Sequence, residues 1–235
     1  MANDQEKVLA ARASMQFVED GQVVGLGSGS TAAYAVQLLG ERVRAGLKIH
    51  GIPTSVQTQQ LADELRIPLL ALNDVQEIDV TIDGADEIDP ELRLIKGGGG
   101  ALLREKVVAS ASRKMVVIAD SSKQVSRLGR FPLPVEVIAF AETVIRKKIA
   151  ALGASVKLRQ YAYGNPFTTD EGHHILDCSF GEISDPPALA RELKTMPGVV
   201  EHGLFISLAT VALIGKGDQV VEVKPAVKAI NHEGH

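Results

Sequence analysis

The chain has one cysteine, Cys178, no tryptophan, and aromatic residues at only 4% of its 235 positions. A single cysteine forms no internal disulfide. It also excludes zinc sites built on four cysteines, or on two cysteines with two histidines. Cys178 therefore reads as a buried small hydrophobe. Long apolar runs are missing as well. A stretch such as Met115–Ala119 is far short of the roughly 20 residues a membrane-spanning helix needs. The opening Met-Ala-Asn-Asp-Gln-Glu-Lys has no apolar core behind a basic start, as a secretory signal would. These features predict a soluble protein of the cytoplasm with no membrane partner. Positive charge is not in excess: 25 Lys and Arg against 29 Asp and Glu give −4. That balance, with few aromatics, argues against nucleic-acid binding, which relies on clustered basic residues. What is present is a hydrophobic fraction of 45%. That is too high for a disordered chain, in a length that buries roughly 70–75% of its unfolded surface.

Periodicity then organises the chain. Val8, Ala11, Met15 and Val18 recur at helical spacing, with Gly21 as the stop. Apolar runs at 22–26, 48–52, 68–72, 80–82, 92–95 and 115–119 read as strands. Helices are expected at 32–39, 56–65 and 101–111 between them. Alternation of this kind predicts an α/β fold with a mostly parallel, Rossmann-like sheet flanked by helices. After Phe131-Pro132-Leu133-Pro134 the order becomes strand (135–139), helix (142–152), strands (155–159 and 174–180), helix (187–194) and strand (199–205). This βαββαβ order is that of a ferredoxin-like α+β unit. Strands at 209–214 and 219–223 follow. The expected organisation is a catalytic α/β domain of residues 1–130 plus 207–235, with a smaller domain, 131–206, inserted.

Several expected strands end in polar, glycine-rich sequence, and ligands bind at the carboxyl edge of a parallel sheet. Ser28–Thr31, Asp83–Glu87, Lys96–Gly100 and Asp120–Lys123 are thus expected to converge on one crevice. Gly25-Leu-Gly27-Ser-Gly29-Ser-Thr31 lies between a strand and a helix, where backbone N–H groups and the helix dipole suit a phosphate. Ser28, Ser30 and Thr31 add hydroxyls. The Gly-Lys-Ser/Thr of a Walker loop is absent from the chain. A dinucleotide site wants an acid about 20 residues on, where this chain has Pro53-Thr54-Ser55. Asp83 and Asp86 directly follow a strand. With no histidine near in sequence, sugar hydroxyls suit them better than a metal. The simpler reading of Glu87 and Asp89 is as solvated carboxylates. Lys96 precedes four glycines, a run whose ordering carries a large entropic cost, so close approach of backbone to a ligand is the expected reason for it. Glu105 falls early in the next helix, where an acid either complements the dipole or, beside the crevice, does chemistry. His173-His174 reads as an exposed turn or strand start, and His232 and His235 lie in a polar tail. The six histidines show no metal-ligand spacing.

In order and spacing, Gly27-Ser-Gly29-Ser-Thr31, Thr81-Ile-Asp83-Gly-Ala-Asp86-Glu87, Lys96-Gly-Gly-Gly, Ala101-Leu-Leu-Arg104-Glu105-Lys106 and Ala119-Asp-Ser-Ser-Lys123 resemble ribose-5-phosphate isomerase type A. Val211-Ala-Leu-Ile-Gly fits the same pattern, while the closing Asn-His-Glu-Gly-His has no counterpart in it. The resemblance implies interconversion of D-ribose 5-phosphate and D-ribulose 5-phosphate in the non-oxidative pentose phosphate pathway. It implies no metal or organic cofactor, and a homodimer or homotetramer. It makes Glu105 the general base; the chemistry of the neighbouring residues adds Lys96 to stabilise the enediolate and Asp83 or Asp86 to assist ring opening and proton transfer between O1 and O2. It assigns substrate contacts to Ser28, Gly29, Ser30, Thr31, Asp83, Gly84, Ala85, Asp86, Lys96, Gly97, Gly98, Gly99 and Lys123. The apolar stretch 199–206 is a candidate subunit surface.

The residue types suit that chemistry. One shielded carboxylate can carry a proton between C2 and C1, and a lysine with amide donors can hold the enediolate. A helix start and nearby lysines lower the pKa of Glu105, so burial on substrate closure is the expected opposing effect. Two alternatives stay open here. One is a non-catalytic sugar-phosphate effector domain, which would be expected to carry a basic helix-turn-helix that this acidic chain lacks. The other is a coenzyme A transferase-like enzyme with a nucleophilic glutamate; the phosphate loop and the Lys-Gly-Gly-Gly run disfavour it.

Overall fold

The computed structural model describes residues 2–225. His232, His235 and the rest of the polar tail lie outside them. The elements run α1 (Ala2–Ser14), β1 (Val23–Leu26), α2 (Ser30–Arg44), β2 (His50–Pro53), α3 (Val56–Glu64), β3 (Val80–Asp83), β4 (Glu87–Ile88), β5 (Leu94–Ile95), α4 (Leu102–Ser110) and β6 (Met115–Asp120). They continue through β7 (Leu133–Val137), α5 (Glu142–Ala151), β8 (Ser155–Leu158), β9 (His174–Ser179), α6 (Pro186–Lys194), β10 (Val199–His202), β11 (Leu204–Phe205), β12 (Val211–Lys216) and β13 (Gln219–Val223).

The fold is α/β. Its main sheet has the order β13-β12-β6-β3-β1-β2, parallel except for β13. The central strands are covered on both faces and read as continuous apolar runs. Alternation along β6 decides which neighbour each residue meets. Val116 and Ile118 pack with Ala10, Ala11, Val36 and Leu39 of α1 and α2. Met115, Val117 and Ala119 pack with Leu94, Phe205 and Ile214 on the other face. Helix α2 buries Ala32, Ala35, Val36 and Leu39 at i, i+3, i+4, i+7. Helix α1 lies across β6 and β12, and Glu6 accepts hydrogen bonds from Ser121 N (2.9 Å) and Gly217 N (2.8 Å). The burial expected of Cys178 is present; it lies in the core of the second sheet.

That second sheet is antiparallel, of order β10-β7-β9-β8, backed by α5 and α6. The third, β11-β5-β4, is small and antiparallel.

Local expectations fail at identifiable points. The first helix ends at Ser14 and tightens into a 3-10 turn, Met15–Phe17, well before Gly21. Residues 68–72 form no strand: only Leu69 bridges to Gly51, and Leu72–Asp74 turn away as a 3-10 segment. The 92–95 run is not a strand of the parallel sheet. Leu92 takes a left-handed φ of 56°, which turns β5 back antiparallel on β4. The 199–205 strand is two strands, parted at Gly203. There the chain leaves β7 to pair with β5, and a Cβ would run into the Lys96 carbonyl. Most of the 199–206 stretch is consequently buried within the chain, so it is not an open apolar surface.

Candidate active site

The carboxyl ends of β1, β3 and β6, the β4–β5 hairpin and the start of α4 enclose a narrow cleft of about 100 Å³. Ser28, Gly29, Ser30, Thr31, Gly84, Ala85, Asp86, Lys96, Gly97, Gly98, Gly99, Glu105 and Lys123 line it. Four distant segments therefore meet, although the Lys96–Gly100 run arrives from a hairpin and not from a parallel strand. Asp83 lies beneath the floor, fully buried. Asp120 is also buried, accepting from Ser122 N at 3.0 Å and so capping the turn that presents Lys123. A larger hollow of about 650 Å³, walled by Ile52, Leu70, Leu103 and Val107, sits elsewhere against α4 and is mainly apolar.

The centre is a cation between two acids. Lys96 Nζ lies 3.0 Å from Asp83 Oδ2 and 3.2 Å from Glu105 Oε1, and donates to the Gly84 carbonyl at 2.6 Å. Asp83 Oδ1 accepts from Gly84 N (2.7 Å) and Ser28 N (3.1 Å). A Cβ at Gly27 would stand 2.6 Å from Asp83 Cα, so only glycine lets β1 come this close. Lys96 and Glu105 are 2% and 5% exposed, so these charges interact with little solvent screening. Burial pushes the Glu105 carboxyl up to about 8; Lys96 opposes this and Asp83 adds to it. Burial also raises Asp83, against Lys96 and its two amide donors. For Lys96, burial works downward but the two carboxylates outweigh it, and the ammonium is held charged. Burial within the fold itself therefore opposes Lys96 at Glu105. Its Oε2 is buried and accepts no hydrogen bond among the described residues.

Lys96 also meets an aromatic ring. Lys96 Nζ and Lys106 Nζ stand 5.5 Å and 4.9 Å from the centroid of the Phe205 ring. Lys106 follows Glu105 in α4 yet turns the other way to Glu201, at 2.8 Å. Asp86 accepts from Gly98 N at 2.7 Å, tying the glycine run to the floor.

At the α2 end of the cleft, Gly29 precedes the helix, and Ser30 and Thr31 open it. Ser28 lines the cleft beside them. Its hydroxyl bonds Thr54 and Ser55, each at 2.7 Å, so it anchors β2 and α3. A cation missed in the sequence stands here: Lys7 of α1, whose Nζ donates to Ser30 Oγ at 3.2 Å and pairs with Asp4 at 3.6 Å. No motif marks it, because α1 reaches the loop through the fold.

Glu87 and Asp89 are not solvated; both are 2% exposed. Glu87 accepts from Gly129 N (2.7 Å) and Phe131 N (2.6 Å), and Asp89 pairs with Arg93. The need of a buried carboxylate for a partner places His173 against buried Glu136 at 2.9 Å; His174, half-buried, begins β9. Among the described residues no three His, Cys, Asp or Glu side chains form a metal-holding group, and no helix is long and apolar enough to cross a membrane.

The sequence model of a family described as Ribose 5-phosphate isomerase A (phosphoriboisomerase A) matches residues 50–219. "Ribose-5-phosphate isomerase A" of Parvibaculum lavamentivorans is 53% identical over 229 residues, covering 94% of this chain and 99% of that protein. Its namesake in Agrobacterium fabrum is 56% identical over 215 residues, covering 89% and 93%. A solved D-ribose-5-phosphate isomerase in complex with phospho-erythronic acid superposes with a TM-score of 0.93 at 40% identity, covering 95% of this chain and all of that one. The ribose 5-phosphate isomerase of Plasmodium falciparum gives 0.90 at 38%, covering 94% and 97%.

Proposed function

The chain belongs to the ribose 5-phosphate isomerase A family, and from that premise we propose how its cleft performs the reaction. The protein is an aldose–ketose isomerase that interconverts ribose 5-phosphate and ribulose 5-phosphate. Glu105 is the base, and one observation carries this: it is a buried carboxyl, raised to about 8, with an unengaged oxygen at the cleft. Glu105 takes the C2 proton. The C–H electron pair becomes the C1–C2 double bond, and O1 gains the enediolate charge. Glu105 then returns its proton to C1 as the C2 carbonyl forms. Lys96 and the glycine-run amides hold the developing oxyanion, and each such donor is worth about 3–4 kcal/mol in comparable sites.

Asp86, at the cleft surface, serves ring opening and moves the proton between O2 and O1. Asp83, out of reach beneath, holds Lys96 and the Ser28 amide. The phosphate sits on the N-terminus of α2 between Lys7 and Lys123. The remaining contacts are to Ser30, Thr31, Gly84, Ala85 and the 97–99 amides. No metal or organic cofactor takes part in this scheme. Phospho-erythronic acid, the ligand of one solved neighbour, is a carboxylate analogue of the enediolate and should bind this cleft.

Residues 131–206 form an inserted domain in this reading. The exposed Ile138, Phe140 and Val144 upon it support a homodimer or homotetramer, which light scattering tests, in the cytoplasm. The functional test is direct: purified protein, ribose 5-phosphate and EDTA should yield the ketose with solvent exchange at C2. No ketose would overturn the scheme.

A further inference from the structure

Four consecutive glycines are poor material for a catalytic surface, since each peptide plane can flip at little steric cost. Something outside the run must hold it. The guanidinium of Arg159, just beyond β8 in the inserted unit, does so from behind. Its Nη1 donates to the carbonyls of Gly97 (2.8 Å) and Gly98 (3.2 Å). Its other edge is forked on Asp177 of β9, with Nε–Oδ2 at 3.0 Å and Nη2–Oδ1 at 2.5 Å. The side chain is 14% exposed. The Phe167 ring lies 5.7 Å from the guanidinium and closes over Gly100, where φ is +87° and a Cβ would stand 2.5 Å from the ring.

We propose that Arg159 is a positioning residue for the isomerisation: by fixing two successive carbonyls it seats the Gly98 N–H on Asp86 and aims the Gly99 N–H into the cleft as an oxyanion donor. The geometry follows from the planar trans peptide, in which N–H points opposite to C=O. No cis peptide occurs among the described residues. With the Gly97 carbonyl on Arg159, the Gly98 N–H points to the cleft side, where Asp86 receives it at 2.7 Å. With the Gly98 carbonyl on Arg159, the Gly99 N–H faces the same way, and Gly99 lines the cleft. Arginine suits this role because it is always charged, and its planar fork serves a carboxylate and two carbonyls together, which one ammonium does not.

This inference rests on the isomerase reading and adds to it that a residue outside the cleft governs stabilisation of the enediolate. The test compares wild type with Arg159→Ala, Arg159→Lys and Asp177→Asn. It reads kcat, KM, and the Kd values of phospho-erythronic acid and inorganic phosphate. The expected result is a loss in kcat of roughly 30-fold or more in both Arg159 variants. A parallel rise in Kd for phospho-erythronic acid should accompany it, with little change in KM or in phosphate affinity. Asp177→Asn should lose less. Millimolar methylguanidinium should restore part of the kcat of Arg159→Ala and none in Arg159→Lys, whose ammonium fills the site. If Arg159→Ala does not fold, the Lys and Asn variants decide by the same pattern of lost kcat and kept phosphate affinity. Overturning results are wild-type kinetics in all variants, or losses of kcat, phosphate binding and melting temperature together with no rescue. A wild-type protein that binds phosphate but makes no ketose overturns the isomerase reading itself, a result distinct from either.

Discussion

Glu105→Gln tests the electrostatics of the cleft through stability as well as rate. In the wild type the carboxyl moves from 4.5 to about 8 on folding, chiefly by burial. A group whose folded pKa is raised contributes stability below its unfolded pKa, and that contribution is lost as pH climbs through the folded value. Between pH 5.5 and pH 8 the native protein should therefore lose about 3 kcal/mol on account of this carboxyl alone, at about 1.36 kcal/mol for each pH unit. Glutamine has the same shape and no titration. The difference in unfolding free energy, variant minus wild type, should grow by about 1 kcal/mol per pH unit and level off above pH 8. Urea titrations at fixed protein concentration, at pH 5.5, 7 and 8.5, measure it. Turnover should fall by about 10³-fold or more while sugar phosphate still binds. A difference that stays flat with pH would refute the idea that burial holds this carboxyl high. Retained C2 exchange would refute its role as the base.

In the free enzyme kcat/KM should rise about tenfold per pH unit up to a limb near 8; Asp83→Asn, which removes the like charge that helps raise Glu105, should move that limb down. Lys7→Met and Lys123→Ala should each raise KM roughly tenfold, the worth of one charge-assisted hydrogen bond of about 1.5 kcal/mol, with kcat nearly unchanged in steady-state assays. Glu87→Ala strands the buried Gly129 amide and the half-buried Phe131 amide, and should cost about 3 kcal/mol in urea unfolding without altering KM.

What could be read in advance was whatever the chain keeps local. The strands around Val24, Ile82 and Val117 are continuous apolar runs because both faces of the sheet are covered. Glycines and acids at their ends mark the cleft for the same topological reason. Segments whose fate depends on a remote partner could not be read this way. Leu92–Ile95 has strand composition, but the left-handed Leu92 turns it onto β4. The 199–205 run divides because Lys96 needs the Gly203 carbonyl, at 2.9 Å, for its backbone N–H. Glu87 looked like a surface acid, since nothing nearby in sequence shows that two amides more than forty residues on require it. Lys7 and Arg159 were invisible as site residues for a related reason. Each belongs to an ordinary-looking helix or strand end, and reaches the site only after three sheets have been assembled.

The placement of α1 has a consequence for biosynthesis. Its residues leave the ribosome early, yet they pack against β12, and the Glu6 backbone sits where Gly215 leaves no room for a side chain. Until residues 211–216 have been translated, the first helix has α2 and β6 to pack on but lacks the part of its seat that lies some two hundred residues away. The antiparallel sheet is made only of residues 133–202, so it can assemble on the ribosome while the main sheet is still incomplete. Lys96 is hydrogen-bonded to Gly203, the residue just past that stretch. The backbone of the acid–lysine–acid centre therefore cannot be fully tied down until residue 203 has been made, and a nascent chain stalled before β12 would carry a first helix only partly covered.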